Sequence, residues 1–398
     1  MKVPEGWKVV ALETVASIHT GYAKNPGGRE EETIVPYLRV ANVQDGYLDL
    51  TEIKMINIPK NKIDRFLLRK GDVLLTEGGD WDKLGRGAVW EGQIEPCAHQ
   101  NHVFAVRPDS VLLSPVFLSL QTSSHLGKNY FQSCSKQSTN LASVNSSQLK
   151  QFPVILPRLD EQQAIARIIE LWDTAVEKSK RLIATKNSLL SRLRERFFQL
   201  HPQLKPTSLR SVTTESTTRN QNRLGREFVM AVTKANGIRP MREETISADL
   251  TRYKVVHPQP FAYNPMRLNI GSIAMSELAD DVLVSPDYVV FECDATKLLP
   301  RYLYHLRCSK LWGRFFDTAG SGSVRVRIYY EDLTDFALVL PTIEEQTRVV
   351  ALLDLAEKDV ADTDKLLETY RKQKQGLMQK LLTGQWRVAI LDTKETED

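Results

Sequence analysis

No stretch of the 398 residues approaches the run of about twenty apolar residues that a membrane-spanning helix needs. The opening, Met1-Lys-Val-Pro-Glu-Gly-Trp7, has no apolar core of a secretory leader. The expectation is a cytoplasmic protein with no membrane partner. The four cysteines (Cys97, Cys134, Cys293, Cys308) form no C-x-x-C pair. That excludes the usual zinc spacing and points to reduced thiols. No phosphate-binding loop of the form G-x-x-x-x-G-K-[ST] is present, so nucleotide hydrolysis is not expected here. Asn264-Pro-Met-Arg267 is only a fragment of an Asn-Pro-Pro-aromatic methyl-transfer motif and reads as a turn. Pro286-Asp287…Glu292-Cys-Asp294 lacks the lysine of a nuclease core, and Tyr288–Phe291 reads as a buried strand aligned near His102–Val106. His99 and His102 have no third ligand at metal spacing. No catalytic residue and no metal site is assigned.

Charge of one sign is also scarce. Lys and Arg number 53 against 49 Asp and Glu, a net +4, so bulk charge does not announce a polyanion binder. Its distribution is uneven, however. Residues 205–242 hold eight basic residues against Glu215 and Glu227, and residues 300–327 hold six against Asp317. Residues 271–299 hold six acids against Lys297. Basic segments of this kind can meet phosphates, although each alone also fits a solvated face.

What the chain has is a repeated sentence. Phe152-Pro-Val-Ile-Leu-Pro157 followed by Glu161-Gln162 returns as Phe336-Ala-Leu-Val-Leu-Pro341 followed by Glu345-Gln346, 184 residues later. Pro115-Val-Phe-Leu-Ser-Leu120 returns as Pro300-Arg-Tyr-Leu-Tyr-His-Leu306 at an offset of 185. The duplication makes two similar units. Two reading heads on one chain suit a ligand with two separated half-sites, and DNA is such a ligand. The intervening inserts have no visible partners: Leu74–Arg86 has none in the second half, and Asn264–Gly271 has none in the first.

Residues 1–151 read as mixed strand and helix. Strands are expected at Ile34–Val43, Asp72–Thr76 and His102–Val106, and one helix capped by Ser114 runs through Phe131. Each repeat then closes in a long heptad pattern. In the first, the seam is Ile165, Ile169, Trp172, Val176, Ile183, Leu190 and Leu193, with Ser179 and Lys186 as polar breaks. In the second, it is Val349, Leu353, Val360, Leu367, Leu377 and Leu381, with Thr363 and Lys374 as breaks. Five heptads favour a coiled-coil seam over a surface helix packed on its own domain. A helix of about 38 residues spans roughly 57 Å at ~1.5 Å per residue, so an antiparallel pair would form a rigid strut between the globular parts. The fold class expected is α+β: two mixed α/β domains in tandem, each followed by a long helix, the two helices paired antiparallel. The boundaries read as 1–151 (first domain), 152–200 (first helix), 201–335 (second domain), 336–390 (second helix) and 391–398 (acidic tail).

These residues, in this order, resemble the specificity subunits of type I restriction–modification systems. The likeness rests on Pro4-Glu-Gly-Trp7 with Leu12-x-x-Val15, on Gly71-Asp-Val-Leu-Leu75 and on Ser135-Lys-Gln-Ser-Thr-Asn-Leu141. It rests also on Leu156-Pro157…Asp160-Glu-Gln162 and its echo Leu340-Pro341…Glu344-Glu-Gln346. The resemblance implies two target-recognition domains that read a split double-stranded DNA sequence, with the helices as a ruler. It implies two modification (methyltransferase) subunits and restriction/translocase subunits as partners. S-adenosylmethionine, ATP and Mg would then sit on those partners, with no cofactor on this chain. A non-catalytic coiled-coil scaffold with tandem globular modules is the second reading.

A module that reads bases needs Arg, Lys, Asn or Gln at groove level and basic or hydroxyl groups on the backbone. In the first unit the candidates are Lys24, Arg29, Asn42, Lys83, Arg86, Asn101, Lys136 and Asn140. In the second they are Arg219, Asn220, Arg223, Lys234, Arg239, Arg267, Asn269, Arg325 and Arg327. Gly320-Ser-Gly-Ser-Val-Arg-Val-Arg327 is the strongest single stretch, because a Gly/Ser turn lets backbone approach phosphate and alternate arginines share one face of a strand.

Overall fold

The β-branched and aromatic runs near the start of each repeat pair into sheets of the same design. In the computed structural model, Ala16–Thr20, Val103–Pro108, Val73–Thr76 and Gly87–Val89 lie side by side in that order, all antiparallel. Thr213–Ser216, Val289–Cys293, Phe261–Tyr263 and Ile273–Met275 repeat the arrangement. In each sheet the first strand pairs with the fourth, the fourth with the second, and the second with the third. The structure describes residues 3–23, 31–79, 81, 84–137, 142–199, 206–234, 237–319 and 327–389, with 136–137 and 317–319 in backbone alone.

Two units make up the chain: residues 1–178 with 367–398, and residues 179–366. In the first unit Lys8–Ala11 pairs with Pro153–Leu156, and Glu32–Leu38 pairs antiparallel with Lys54–Pro59 and parallel with Ala98–His99. The expected strand over Ile34–Val43 is therefore shorter at its far end, where Val40–Asn42 turns as a 3-10 helix. The single helix expected from Ser114 to Phe131 is two helices, Pro115–Ser123 and His125–Cys134. Ser124 breaks the run, because its hydroxyl accepts the Gly127 N–H (3.3 Å) and caps a new helix. The turn is so tight that a Cβ on Gly127 would lie 2.3 Å from the Thr122 carbonyl oxygen. Pro300–Leu306 and Lys310–Ala319 repeat the helix pair in the second unit.

Leu159–Phe197 and Ile343–Leu382 form the long helices, of 39 and 40 residues. Acids open both, where the helix dipole favours them. Each unit buries part of both helices. The first core joins Phe117, Phe131 and Phe152 to Ile165, Ile169, Leu381 and Leu382. The second joins Phe261, Phe291 and Phe336 to Leu190 and Leu353. Within the first unit the helices run antiparallel, with the Trp172 and Tyr370 rings 5.8 Å apart edge to face, and Lys374 on Asp173. Within the second, the polar breaks meet: Lys186 Nζ donates to Thr363 Oγ1 (2.8 Å) and to Asp359 (2.7 Å). The seam residues Ile165, Ile169, Leu190, Leu353, Leu367 and Leu381 are buried; Trp172, Val176, Ile183, Leu193, Val349, Val360 and Leu377 are half-buried.

The repeated Gln explains why the sentence recurs. Gln162 accepts the Ser114 N–H and donates to the Leu112 and Pro157 carbonyls at 2.8–2.9 Å. Gln346 accepts the Leu299 N–H and donates to the Lys297 and Pro341 carbonyls at 2.8–3.0 Å. Both are fully buried, and each ties the start of a long helix to the start of the short helix pair. The preceding acids differ. Glu161 is buried against Trp7 Nε1 (3.0 Å) and Arg387 (2.6 Å), whereas Glu345 is exposed and caps through Thr342.

No helix among the described residues is long and apolar enough to cross a membrane. The four cysteines are free, and burial pushes the Cys97 and Cys293 thiols up to about 12.

Candidate nucleic-acid interface

The two inserts without sequence partners occupy the same place. Residues 77–86 join the second sheet strand to the third in the first unit, and residues 264–272 do so in the second. In both units the stretch before the closing short helix lies against this connection. Gly78–Gly79 pairs with Ala142–Ser143, which pairs with Lys136–Gln137. In the second unit the Ile328 N–H donates to the Pro265 carbonyl at 3.1 Å. The frame is therefore shared down to the position of its variable loops.

In the first unit four segments meet. Tyr22 bridges to Gln100, and the Asn101 N–H donates to the Tyr22 carbonyl at 3.2 Å. Glu77 exchanges backbone bonds with His102 and Val144, and its carboxylate lies 2.6 Å from His102 Nδ1. Asn101, half-buried, sits here with its amide 3.2 Å from His102 Nε2. Arg86 closes the loop and reaches Gln44 at 3.1 Å. Lys24, Arg29, Lys83 and Asn140 lie outside the described residues, as does the side chain of Lys136. Asn42 leaves the set. It is buried, accepts the Arg39 N–H (2.9 Å) and donates to the Asp49 and Glu52 carbonyls (2.9 and 3.0 Å), so its amide staples a loop.

In the second unit Arg267 and Asn269 stand exposed on the 264–272 turn. Lys234, at the tip of the hairpin Met230–Thr233/Gly237–Pro240, lies across Gly271, whose added Cβ would be 3.3 Å from the Lys234 side chain. Arg327 is exposed beside Ile328, its guanidinium 3.4 Å from the Tyr329 hydroxyl; Arg325 lies outside the described residues. Arg239 is exposed on the same hairpin. Arg219 and Arg223 belong to a different turn, packed on residues 250–254, where Arg219 donates to the Arg252 carbonyl at 2.7 Å. Asn220, between them, is fully buried, bonding the Leu224 N–H and the Leu224 and Leu250 carbonyls at 2.8–3.3 Å. Like Asn42, it holds a loop together and offers no base-reading edge.

Composition did not single out the apolar members of these loops. Trp81, Met266, Ile270 and Tyr329 are exposed; Met266 and Ile270 flank Arg267 and Asn269 in sequence, and the Tyr329 hydroxyl lies by Arg327. The available signal was positional: large apolar residues inside turn segments, off any strand or helix period.

The two histidines have different partners, His102 lying against Glu77. His99 is buried with Nδ1 2.7 Å from the Val103 carbonyl, and burial lowers its pKa to about 4. A second cluster, His305 with Asp354 and Glu357, has its carboxylates occupied by Arg301 (2.7 and 3.2 Å) and Arg194 (2.9 Å). It is an ion-pair network that fastens Pro300–Leu306 to the long helices within the second unit. The candidate surfaces thus present cations, amides and exposed apolar groups, chemistry suited to phosphates and base edges.

Three comparisons bear on this geometry. Residues 4–185 match the family model for the Type I restriction modification DNA specificity domain. The chain is 23% identical to a putative type I restriction enzyme MjaX specificity subunit of Methanocaldococcus jannaschii, over 97% of this chain and 95% of that one. Its fold resembles a chain solved in work on complex assembly and conformational transition of the type I R-M system. The TM-score is 0.63 at 18% identity, covering 97% of this chain and all of the other. It also resembles the HsdS subunit from Thermoanaerobacter tengcongensis, with a TM-score of 0.55 at 18% identity over 97% and 99%.

Proposed function

We propose that this chain, whose residues 4–185 match the Type I restriction modification DNA specificity domain and whose fold resembles that of solved type I R-M chains, reads a bipartite double-stranded DNA target for catalytic partners. Residues 1–151 and 201–335 act as the two target-recognition domains, and the segments 152–200 and 336–390 as the spacer. The observation that carries this reading is the sheet built twice with its loops in register and unlike in sequence: 77–86 in one unit, 264–272 in the other. Equivalent position gives both loops the same task, and unlike side chains give them different bases to read.

The chain is a recognition subunit, and chemistry belongs to its partners. Adenine methylation would come from modification subunits carrying S-adenosylmethionine, and cleavage from restriction/translocase subunits using ATP and Mg, in the cytoplasm. The long helices support a partner bound in two copies. Leu171 and its repeat equivalent Leu355 are 70% and 66% exposed, and Leu182 and Leu366 are 47% and 44% exposed. Within the second unit, Leu182, Leu189, Leu352 and Leu366 each immediately precede a seam residue. Helices paired antiparallel therefore carry all four along one edge of the seam. Such a leucine edge, to which each repeat contributes two residues, suits two identical helical partners better than a scaffold for unrelated ones.

The test is a gel shift and methylation assay on the chain with and without its modification subunits. The complex should retain one DNA sequence and methylate it, while the chain alone should transfer no methyl group. Methyl transfer by the chain alone, or retention independent of sequence, would refute the reading.

A further inference from the structure

We propose that Met266 and Ile270 read the C5-methyl group of thymine in the half-site bound by the second unit. The inference rests on the chain being a DNA-recognition subunit and names what one of its loops recognises.

The turn is built to hold these two side chains out. Leu268, at its centre, is buried and pins the loop to the core. Asn264 accepts the Met266 N–H through its side chain and the Arg267 N–H through its carbonyl, both at 2.9 Å. The Gly271 N–H returns to the Leu268 carbonyl at 2.8 Å, and the Ser272 N–H to the Arg267 carbonyl at 3.0 Å. Gly271 takes φ +95°, a left-handed conformation that suits glycine. With its backbone bonded internally, the loop projects Met266 (50% exposed), Arg267, Asn269 and Ile270 (55% exposed).

Single exposed apolar side chains are ordinary. These two bracket Arg267 and Asn269, with Lys234 across Gly271 and Arg327 next to Ile328, whose N–H donates to the Pro265 carbonyl. Residues 264–272 contain no acid. A cationic rim favours a polyanion over an apolar protein face. Among base edges in the major groove, the thymine methyl is the apolar feature, and apolar side chains are its partners. Asn269 supplies the hydrogen-bonding geometry for an adenine beside it, and Arg267 a charge for the flanking phosphate. Methionine, unbranched and polarisable, adapts to such a contact.

The experiment uses the chain in complex with its modification subunits and a duplex carrying its methylated sequence. Each thymine of the second unit's half-site is replaced in turn by deoxyuridine, which lacks only the methyl group. At least one replacement should weaken binding about fourfold, the worth of one buried methyl. In the M266A/I270A variant the same replacement should make no difference. R267A should keep the thymine–uracil difference while lowering the salt dependence. Melting of M266A/I270A should match the parent, since both side chains are exposed. Three results would overturn the proposal: a half-site with no thymine, no replacement that matters, or discrimination undiminished in M266A/I270A. Failure of the parent complex to bind any sequence selectively would instead refute the DNA-recognition reading itself.

Discussion

Gln162 and Gln346, 184 residues apart, make the same three hydrogen bonds to the same three backbone positions of their repeats. An amide that accepts from one N–H and donates to two carbonyls uses the alternation of donors and acceptors at a helix start, which a glutamate or leucine could not. Gln162→Leu should cost the first unit about 3 kcal/mol, because the Ser114 N–H and the carbonyls of Leu112 and Pro157 are left without partners. Urea denaturation checks this, and a loss under ~0.5 kcal/mol would show that the clamp is dispensable.

His99 makes the first unit acid-sensitive. Burial lowers its pKa to about 4 from an ordinary value of 6.5. The folded ring stays neutral where the unfolded ring binds a proton, so stability is full above about pH 6.5 and falls as pH drops toward 4. The expected loss is about 3 kcal/mol over that window. Denaturation series at pH 7, 6, 5 and 4 should show it, and the slope should flatten in His99→Asn. An unchanged slope in that variant would assign the acid sensitivity to other groups.

The repeat, the long helices and their seam were legible because each depends on periodic apolar residues or an obligatory amide. Lys186 and Thr363, breaks in that periodicity, are bonded to each other. Less was legible in the loops. Asn42 and Asn220 have the chemistry of base readers, yet both are buried loop staples; composition cannot tell an amide turned inward from one turned out. Leu74–Arg86 and Asn264–Gly271 look unrelated as sequences, since they share neither length nor order of residue types. Only strand pairing reveals that they are counterparts. Met266 and Ile270 went unnoticed because apolar residues are expected inside, and exposure is a property of the folded turn.

Leu182→Asp with Leu366→Asp, on that shared edge, should lower the number of modification subunits bound in the complex. Both leucines are exposed, so the free chain's stability should change by no more than about 0.5 kcal/mol. Native mass spectrometry reads the stoichiometry directly. Two copies still bound would place the partner elsewhere.

Arg267→Ala with Arg327→Ala should weaken DNA binding and reduce the slope of log affinity against log salt by about 1.8, near 0.9 for each lost phosphate contact. Fluorescence anisotropy across a salt titration checks it. An unchanged slope would remove both guanidinium groups from the phosphate backbone.

Adenine methylation mapped across a genome that carries this chain and its partners tests the two-headed reading most directly. The account predicts methylation at one motif made of two fixed half-sites separated by a gap of constant length. Removing one heptad from each long helix should shorten that gap by about 3 base pairs (roughly 10 Å of helix at ~3.4 Å per step) and leave both half-sites unchanged. A single contiguous motif, or altered half-sites with the gap preserved, would contradict it.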